Sequence, residues 1–280
     1  MNDRVAFVIP ANNSNKEKPW VWYAPALPGL PGTEERWMFE QFVSTGISIA
    51  GIDVGESYGS PAGRKIFSAF HAEMVRRGFS AKPVLLGRSR GGLMTLSWAA
   101  ENPEKLSGFA GIYPVCNIVS YPGIEKAAPA YEMSPDELRS QLAKHNPVDR
   151  LAALAKAHVP LFAIHGDVDL IVPLQQNSGL MRDRYKALGG SMQLIVPAGQ
   201  GHNMWRGFFE CHELVEFVKK YATPSISLSS PLDFQVFQRR SRENGMLTIQ
   251  GELTGTSGKK VRLEARLIVN GRPTRWRQVR

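Results

Sequence analysis

Between residues 19 and 221, short apolar runs alternate with longer stretches in which apolar residues recur every three to four positions. The runs are 20–24, 47–54, 84–86, 109–115, 160–165 and 192–196. They are rich in Val and Ile and almost free of polar interruptions, the pattern of strands covered on both faces. The stretches 34–44, 63–77, 92–100, 174–188 and 208–220 carry the helical period. Strand and helix in strict alternation predict an α/β domain, a mostly parallel sheet with helices on both faces. The run 5–9 is expected as an extra strand at the sheet edge. Leu188-Gly189-Gly190 is expected to stop a helix, because glycine takes the left-handed cap position without a clash.

About 44 residues separate the runs ending at Val115 and beginning at Pro160, more than one crossover needs. Within them Ser134-Pro135-Asp136-Glu137 reads as an N-cap, a proline at the first helical position and an acidic first turn. A small helical insertion around 117–158 follows from this, placed to roof a site at the strand ends. Beyond Tyr221 the pattern changes. Ala222-Thr223-Pro224-Ser225 breaks the rhythm, and segments 225–228, 234–237, 247–253 and 261–269 alternate with the period of strands. Asn244-Gly245 and Asn270-Gly271 supply turn signals between them. We therefore divide the chain into an α/β body, 1–221, and a short antiparallel β appendage, 222–280, expected to be part of a larger β-sandwich.

The formal charge of +9 changes this picture little. The appendage holds about 11 Lys and Arg against about 4 Asp and Glu, so roughly +7 of the total lies there and the body is close to neutral. No nucleic-acid reading module accompanies it, so no nucleic-acid partner is expected. No apolar run reaches the ~18–20 residues of a membrane span. The first residues show no basic stretch leading into an apolar one, which suits a cytoplasmic protein, or an exported one whose true N-terminus lies upstream. Cys116 and Cys211 lack metal-ligand spacing and read as two buried thiols. No metal or cofactor is expected, since neither a zinc-spaced His/Cys set nor a nucleotide-binding glycine fingerprint occurs.

One stretch carries chemistry. Gly87-Arg88-Ser89-Arg90-Gly91-Gly92 follows an apolar run directly and opens a helical pattern. In that context G-x-S-x-G forms a sharp elbow that holds a serine at a helix N-terminus, where free amides face a developing negative charge. Further on, His165-Gly166-Asp167-Val168-Asp169 follows another strand and offers two acids. Gly199-Gln200-Gly201-His202-Asn203 follows the last strand of the body and offers a loop histidine. His165, at a strand end, reads as a packed residue.

Serine, acid and histidine in this order, each at a strand end, resemble the α/β-hydrolase superfamily. The nearest branch is that of the prolyl-oligopeptidase-like, dienelactone-hydrolase-like and acetyl xylan esterase-like enzymes. The pattern H-G-x-x-D-x-x-V-P selects Asp169 as the acid and leaves Asp167 to brace the loop. The resemblance implies Ser89 as nucleophile, His202 as base and Asp169 as the acid that orients it. It also implies an oxyanion hole made by the backbone N–H of Arg90 and a second N–H from residues 24–32. Aligning Pro25-Ala26 with the family's missing His-Gly pair makes Leu27 that donor. Residues 230–239 resemble the opening of a β-sandwich attached to sialate O-acetylesterase-like proteins.

The activity so implied is a carboxylesterase with a small-molecule or carbohydrate ester as substrate. Arg88, Tyr58, Trp205 and Tyr113 are the candidate substrate contacts, with Arg88 and Arg90 open to the alternative of pairing with acids behind the site. Asn117 and Tyr121 follow the same strand end as Tyr113. Two other readings compete: a prolyl-oligopeptidase-like serine peptidase, and a non-catalytic carbohydrate-binding protein that uses the β tail.

Overall fold

The apolar runs become the strands of one seven-stranded sheet. The computed structural model describes residues 4–12, 17–223, 225–232, 235–238, 240–241, 246–254, 264–266, 268–269 and 272–278. The strands are β1 (Ala6–Ile9), β2 (Trp20–Ala24), β3 (Ser48–Ile52), β4 (Val84–Arg88), β5 (Gly108–Ile112), β6 (Leu161–Ile164) and β7 (Met192–Ile195). Their spatial order is β1-β3-β2-β4-β5-β6-β7, with β1 antiparallel at the edge and the rest parallel. The chain runs from β2 outward to β3 and then returns to the far side of β2 as β4. Such a reversal opens a crevice at the carboxyl ends of the strands, where α/β sheets bind ligands.

Alternation along the strands feeds two cores. In β2, Trp20, Trp22 and Ala24 face one side, against α2 (Pro61–Arg76), α3 (Arg90–Ala99) and α8 (Ser178–Ala187). Val21 and Tyr23 face the other, against α1 (Arg36–Ser44) and α10 (His212–Ala222). The first core is aromatic at its centre: the Trp22 ring lies 4.8 Å from Trp98, 5.0 Å from Phe67 and 5.3 Å from Phe70. Tilted and edge-on pairs of this kind each add about 0.5–1.5 kcal/mol beyond their buried area. Cys116 and Cys211 lie in opposite cores as free thiols.

Between β5 and β6 the chain builds α4 (Ile124–Ala127), α5 (Pro135–Ser140), α6 (Leu142–His145) and α7 (Ala152–Lys156). Ser134 caps α5 in a capping box, its hydroxyl accepting from the Glu137 amide while the Glu137 carboxylate accepts from the Ser134 amide. This insertion has its own small core, in which Ile118, Ile124, Tyr131 and Leu138 pack on Tyr58, Leu93 and Val172 of the body. The final helical stretch is broken: α9 (Arg206–Phe209) ends before α10, with Cys211 extended between them. Leu174–Gln176 is likewise a separate 3-10 turn ahead of α8. No helix among the described residues is long and apolar enough to cross a membrane.

In the appendage, β8 (Ser225–Ser230) pairs antiparallel with β9 (Gln250–Thr254). Two-residue antiparallel pairs join Glu264–Ala265 to Arg277–Gln278 and Ile268–Val269 to Arg272–Pro273. The strand expected at 234–237 is not formed by its described residues. Gln235 instead closes a turn, its amide donating to the Leu232 carbonyl. The turns expected at Asn244-Gly245 and Asn270-Gly271 lie outside the described residues, as do Phe234 and 261–263.

Candidate active site

Four adjacent strands, β4 to β7, each deliver one side chain to the same place. Ser89 follows β4 at the head of α3, with φ 51° and ψ −124°. Such a backbone costs a non-glycine residue about 1–3 kcal/mol and persists only where its surroundings hold it. Here the Ser89 amide donates to the Ile112 carbonyl at 2.9 Å. The Ser89 carbonyl accepts from the amides of Gly92 (2.9 Å) and Val115 (2.8 Å). A side chain on Gly91 would overlap the Ala24 carbonyl, so only glycine lets the first turn of α3 close on the end of β2. The Arg90 amide is the first of that turn, among the four a helix leaves without an internal acceptor.

His202, on the loop after β7, places Nε2 2.9 Å from Ser89 Oγ and Nδ1 2.8 Å from Asp169 Oδ2. Asp169, on the loop after β6, is buried. Its Oδ1 accepts from the amides of Ile171 (3.0 Å) and Val172 (2.8 Å). Its second oxygen is also 3.3 Å from His165 Nε2, and that nitrogen lies 2.8 Å from the Val172 carbonyl. Burial alone would raise the Asp169 carboxyl. Hydrogen bonds from His165, His202 and the Val172 amide outweigh it and hold the group below the ordinary carboxylate range. Asp167 does a different job, accepting from the Gly199 amide at 2.7 Å and so joining the two loops.

Tyr113 follows β5 and lies against the His202 ring, centroids 4.3 Å apart. With Ser89, His202 and Arg88 it lines a cavity of about 230 Å³. Pro25 and Leu30 from the loop after β2 close one side, and Tyr121 from the insertion another. Ile171 and Met204 stand on the loops that carry Asp169 and His202. Leu27 is only half-buried and is not among the lining residues, its carbonyl accepting from the Leu30 amide.

The two arginines flanking Ser89 are both paired. Arg88 Nη1 lies 2.6 Å from Oε1 of the fully buried Glu35, which also accepts from the Tyr23 hydroxyl (2.6 Å) and, through Oε2, from the Gly32 amide (2.9 Å). Arg90 Nη1 lies 2.9 Å from Glu56 Oε1. Tyr58 is buried in the core of the insertion, its carbonyl accepting from the Tyr131 hydroxyl, and it does not line the cavity. Trp205 packs edge-on against Phe208 and is 40% exposed beside the cavity, without lining it. Ile171 and Met204 carried no sequence signal: their neighbours in the chain gave them no distinctive chemistry, and only the fold brings them to Ser89.

Residues 68–224, which contain Ser89, Asp169 and His202, match the prolyl oligopeptidase family. Acyl-protein thioesterase 1 of Kluyveromyces lactis is 26% identical over 159 residues, 56% of this chain and 58% of that one. This chain thus spans just over half the length of the curated relative it matches. Among solved structures, Porphyromonas gingivalis dipeptidyl peptidase 4 superposes with a TM-score of 0.60 at 16% identity, over 76% of this chain and 32% of that one. Est1E from Butyrivibrio proteoclasticus superposes with a TM-score of 0.57 at 16% identity, over 77% and 93%. These likenesses are of fold, and the fold is that of the α/β-hydrolases. The family match covers more than half of the sequence, and the chain belongs to the prolyl oligopeptidase family.

Proposed function

We propose that this protein is a serine hydrolase that cleaves carboxylic esters through an acyl-enzyme on Ser89. The observation that carries the reading is the unbroken chain from Ser89 Oγ through His202 to Asp169 Oδ2, 2.9 and 2.8 Å, set on a strained elbow. His202 Nε2 takes the serine proton as Oγ attacks the acyl carbon, and Asp169 fixes the tautomer and stabilises the imidazolium. The Arg90 amide, with Leu27 as the second donor of the proposal, holds the oxyanion. Collapse of the tetrahedral intermediate expels the alcohol, which takes its proton from His202. Water activated by the same imidazole then releases the acid.

An ester substrate is supported by the thioesterase relative, since ester and thioester carbonyls are attacked in the same way. The cavity, with two tyrosines and two arginines beside aliphatic walls, suits a small acyl group on an aryl alcohol or a sugar. The family match favours peptide cleavage as the second reading. Wild type and Ser89→Ala, assayed on an aryl acetate, acetylated xylose and an aminoacyl p-nitroanilide, separate them. Ester turnover that disappears with Ser89→Ala is expected. Turnover confined to the anilide would replace this reading by the peptidase. We assign residues 222–280 an accessory role, so that deleting 225–280 leaves ester turnover in place.

A further inference from the structure

Behind Ser89 lie two hydrogen-bond donors with no oxygen to receive them. The Tyr113 hydroxyl is buried, in a residue 1% exposed, and has no hydrogen-bond partner. The Arg88 guanidinium lies near enough to act on it electrostatically. A guanidinium can only donate, so it offers the phenol proton no acceptor. Arg88 itself is half satisfied. Its Nη1 meets Glu35, while its Nη2 meets only the sulfur of Met204 at 3.0 Å, and a thioether is a weak acceptor. A buried donor left in this state is costly, and a native site that keeps one calls for an explanation.

Met204 is placed to give way. It is 53% exposed, unbranched, and lines both the Ser89 cavity and a neighbouring one of about 300 Å³ formed with Trp37 and Phe209. Rotation of its side chain would free Arg88 Nη2 and join the two cavities.

We propose that Arg88 Nη2 and the Tyr113 hydroxyl form a substrate subsite for an uncharged oxygen acceptor, a ketone or amide carbonyl, entered by displacing Met204. The acceptor is uncharged because Glu35 already balances Arg88 at 2.6 Å. A second carboxylate would bury net negative charge that nothing compensates. The subsite rests on Ser89 being the reactive group of this cavity, as proposed above, but its ligand chemistry can be read without turnover.

The test uses the full chain and three esters matched in length on the acyl side: ethyl pentanoate, ethyl 4-oxopentanoate and monoethyl succinate. A second pair, pentyl acetate and 4-oxopentyl acetate, probes the alcohol side. Binding to Ser89→Ala by calorimetry reports the subsite alone, and kcat/KM of the wild type reports it together with the chemistry. In one of the two series the keto member is expected to be favoured about tenfold, in binding and in kcat/KM. Tyr113→Phe, tested in both backgrounds, is expected to erase that preference, read as the ratio of keto to parent ester within the same variant.

Unfolding of Tyr113→Phe gives a readout that a structural role would move the other way. An unpartnered hydroxyl contributes nothing to the fold, so the variant should unfold at an equal or higher denaturant concentration. A keto preference absent from both series, or one that survives Tyr113→Phe, overturns the proposal, and a preference for the succinate overturns its uncharged acceptor. Loss of turnover with the keto binding preference intact would count against the ester reading alone.

Discussion

Replacing Glu35 by Ala should destabilise the protein by about 4 kcal/mol. The carboxylate is fully buried and receives Arg88, the Tyr23 hydroxyl and the Gly32 amide at 2.6, 2.6 and 2.9 Å. Its removal leaves the Arg88 guanidinium, 8% exposed, without a counter-charge. Breaking one side of a buried ion pair costs about 3–5 kcal/mol, and each stranded neutral donor about 1–3 kcal/mol. These costs do not add, because the groups relax together and water enters, so the single-charge figure sets the scale. Between 150 and 250 residues, 1 kcal/mol moves the melting midpoint by about 2–4 °C, which here gives a fall of roughly 8–16 °C.

Guanidinium and thermal unfolding followed by circular dichroism would measure it. Glu35→Ala with Arg88→Met supplies the control, since removing both charges leaves neither buried alone. The double variant should be more stable than Glu35→Ala. A single-variant loss under about 1 kcal/mol, or a double variant as unstable as the sum of the singles, would refute the view that this pair is held by mutual compensation.

Ser89→Gly should abolish ester turnover yet stabilise the fold by about 1 kcal/mol, because glycine takes φ 51° without strain; equilibrium unfolding beside the activity assay reads both. Asp169→Asn should lower kcat by about 10⁴-fold while Ser89 and His202 stay in place. The folded Asp169 carboxyl lies below its unfolded value of about 3.9, so its contribution is complete above that pH and is lost as pH falls toward the folded value. Wild type should therefore lose more stability than Asp169→Asn between about pH 5 and pH 2, in denaturant titrations at each pH. Burial pushes Tyr113 up to about 12 and raises Tyr23, Tyr131 and Tyr185 as well. Their folded forms keep protons that the unfolded chain releases above about pH 10, so stability should fall from there upward. Phenolate absorbance of these four should appear only with the loss of near-ultraviolet circular dichroism. Gly91→Ala should cost both stability and activity, since its methyl would displace the Ala24 carbonyl and with it the wall formed by Pro25.

What the sequence revealed of this site and what it concealed divide along the distance over which each feature is encoded. The strands are legible because burial on both faces writes an unbroken apolar run, and Trp20–Ala24 appears with the bounds read from the chain. Ser89, Asp169 and His202 are legible because each lies in a local motif at a strand end, and parallel order brings those ends together. The α9–α10 break is less so, since Cys211 sits in an otherwise continuous helical period. Glu35 could not be paired with Arg88 from sequence: 53 residues separate them, and an acid just before a helix reads as an ordinary first-turn charge. Met204 meets Arg88 across 116 residues, and a methionine after a loop histidine announces nothing. Tyr58 lies away from the cavity for a related reason. An aromatic at a strand end can line the cavity or fill the space beneath an insertion, and here the helices of 117–158 claim it for their own core. The same insertion gives Tyr121 to the cavity. Side chains proposed to perform a step are thus announced by their neighbours in the chain, whereas those that shape and neutralise its surroundings are recruited from elsewhere. For this reason Arg88, chosen from sequence for its place beside Ser89, acquires its meaning only from Glu35, Tyr113 and Met204.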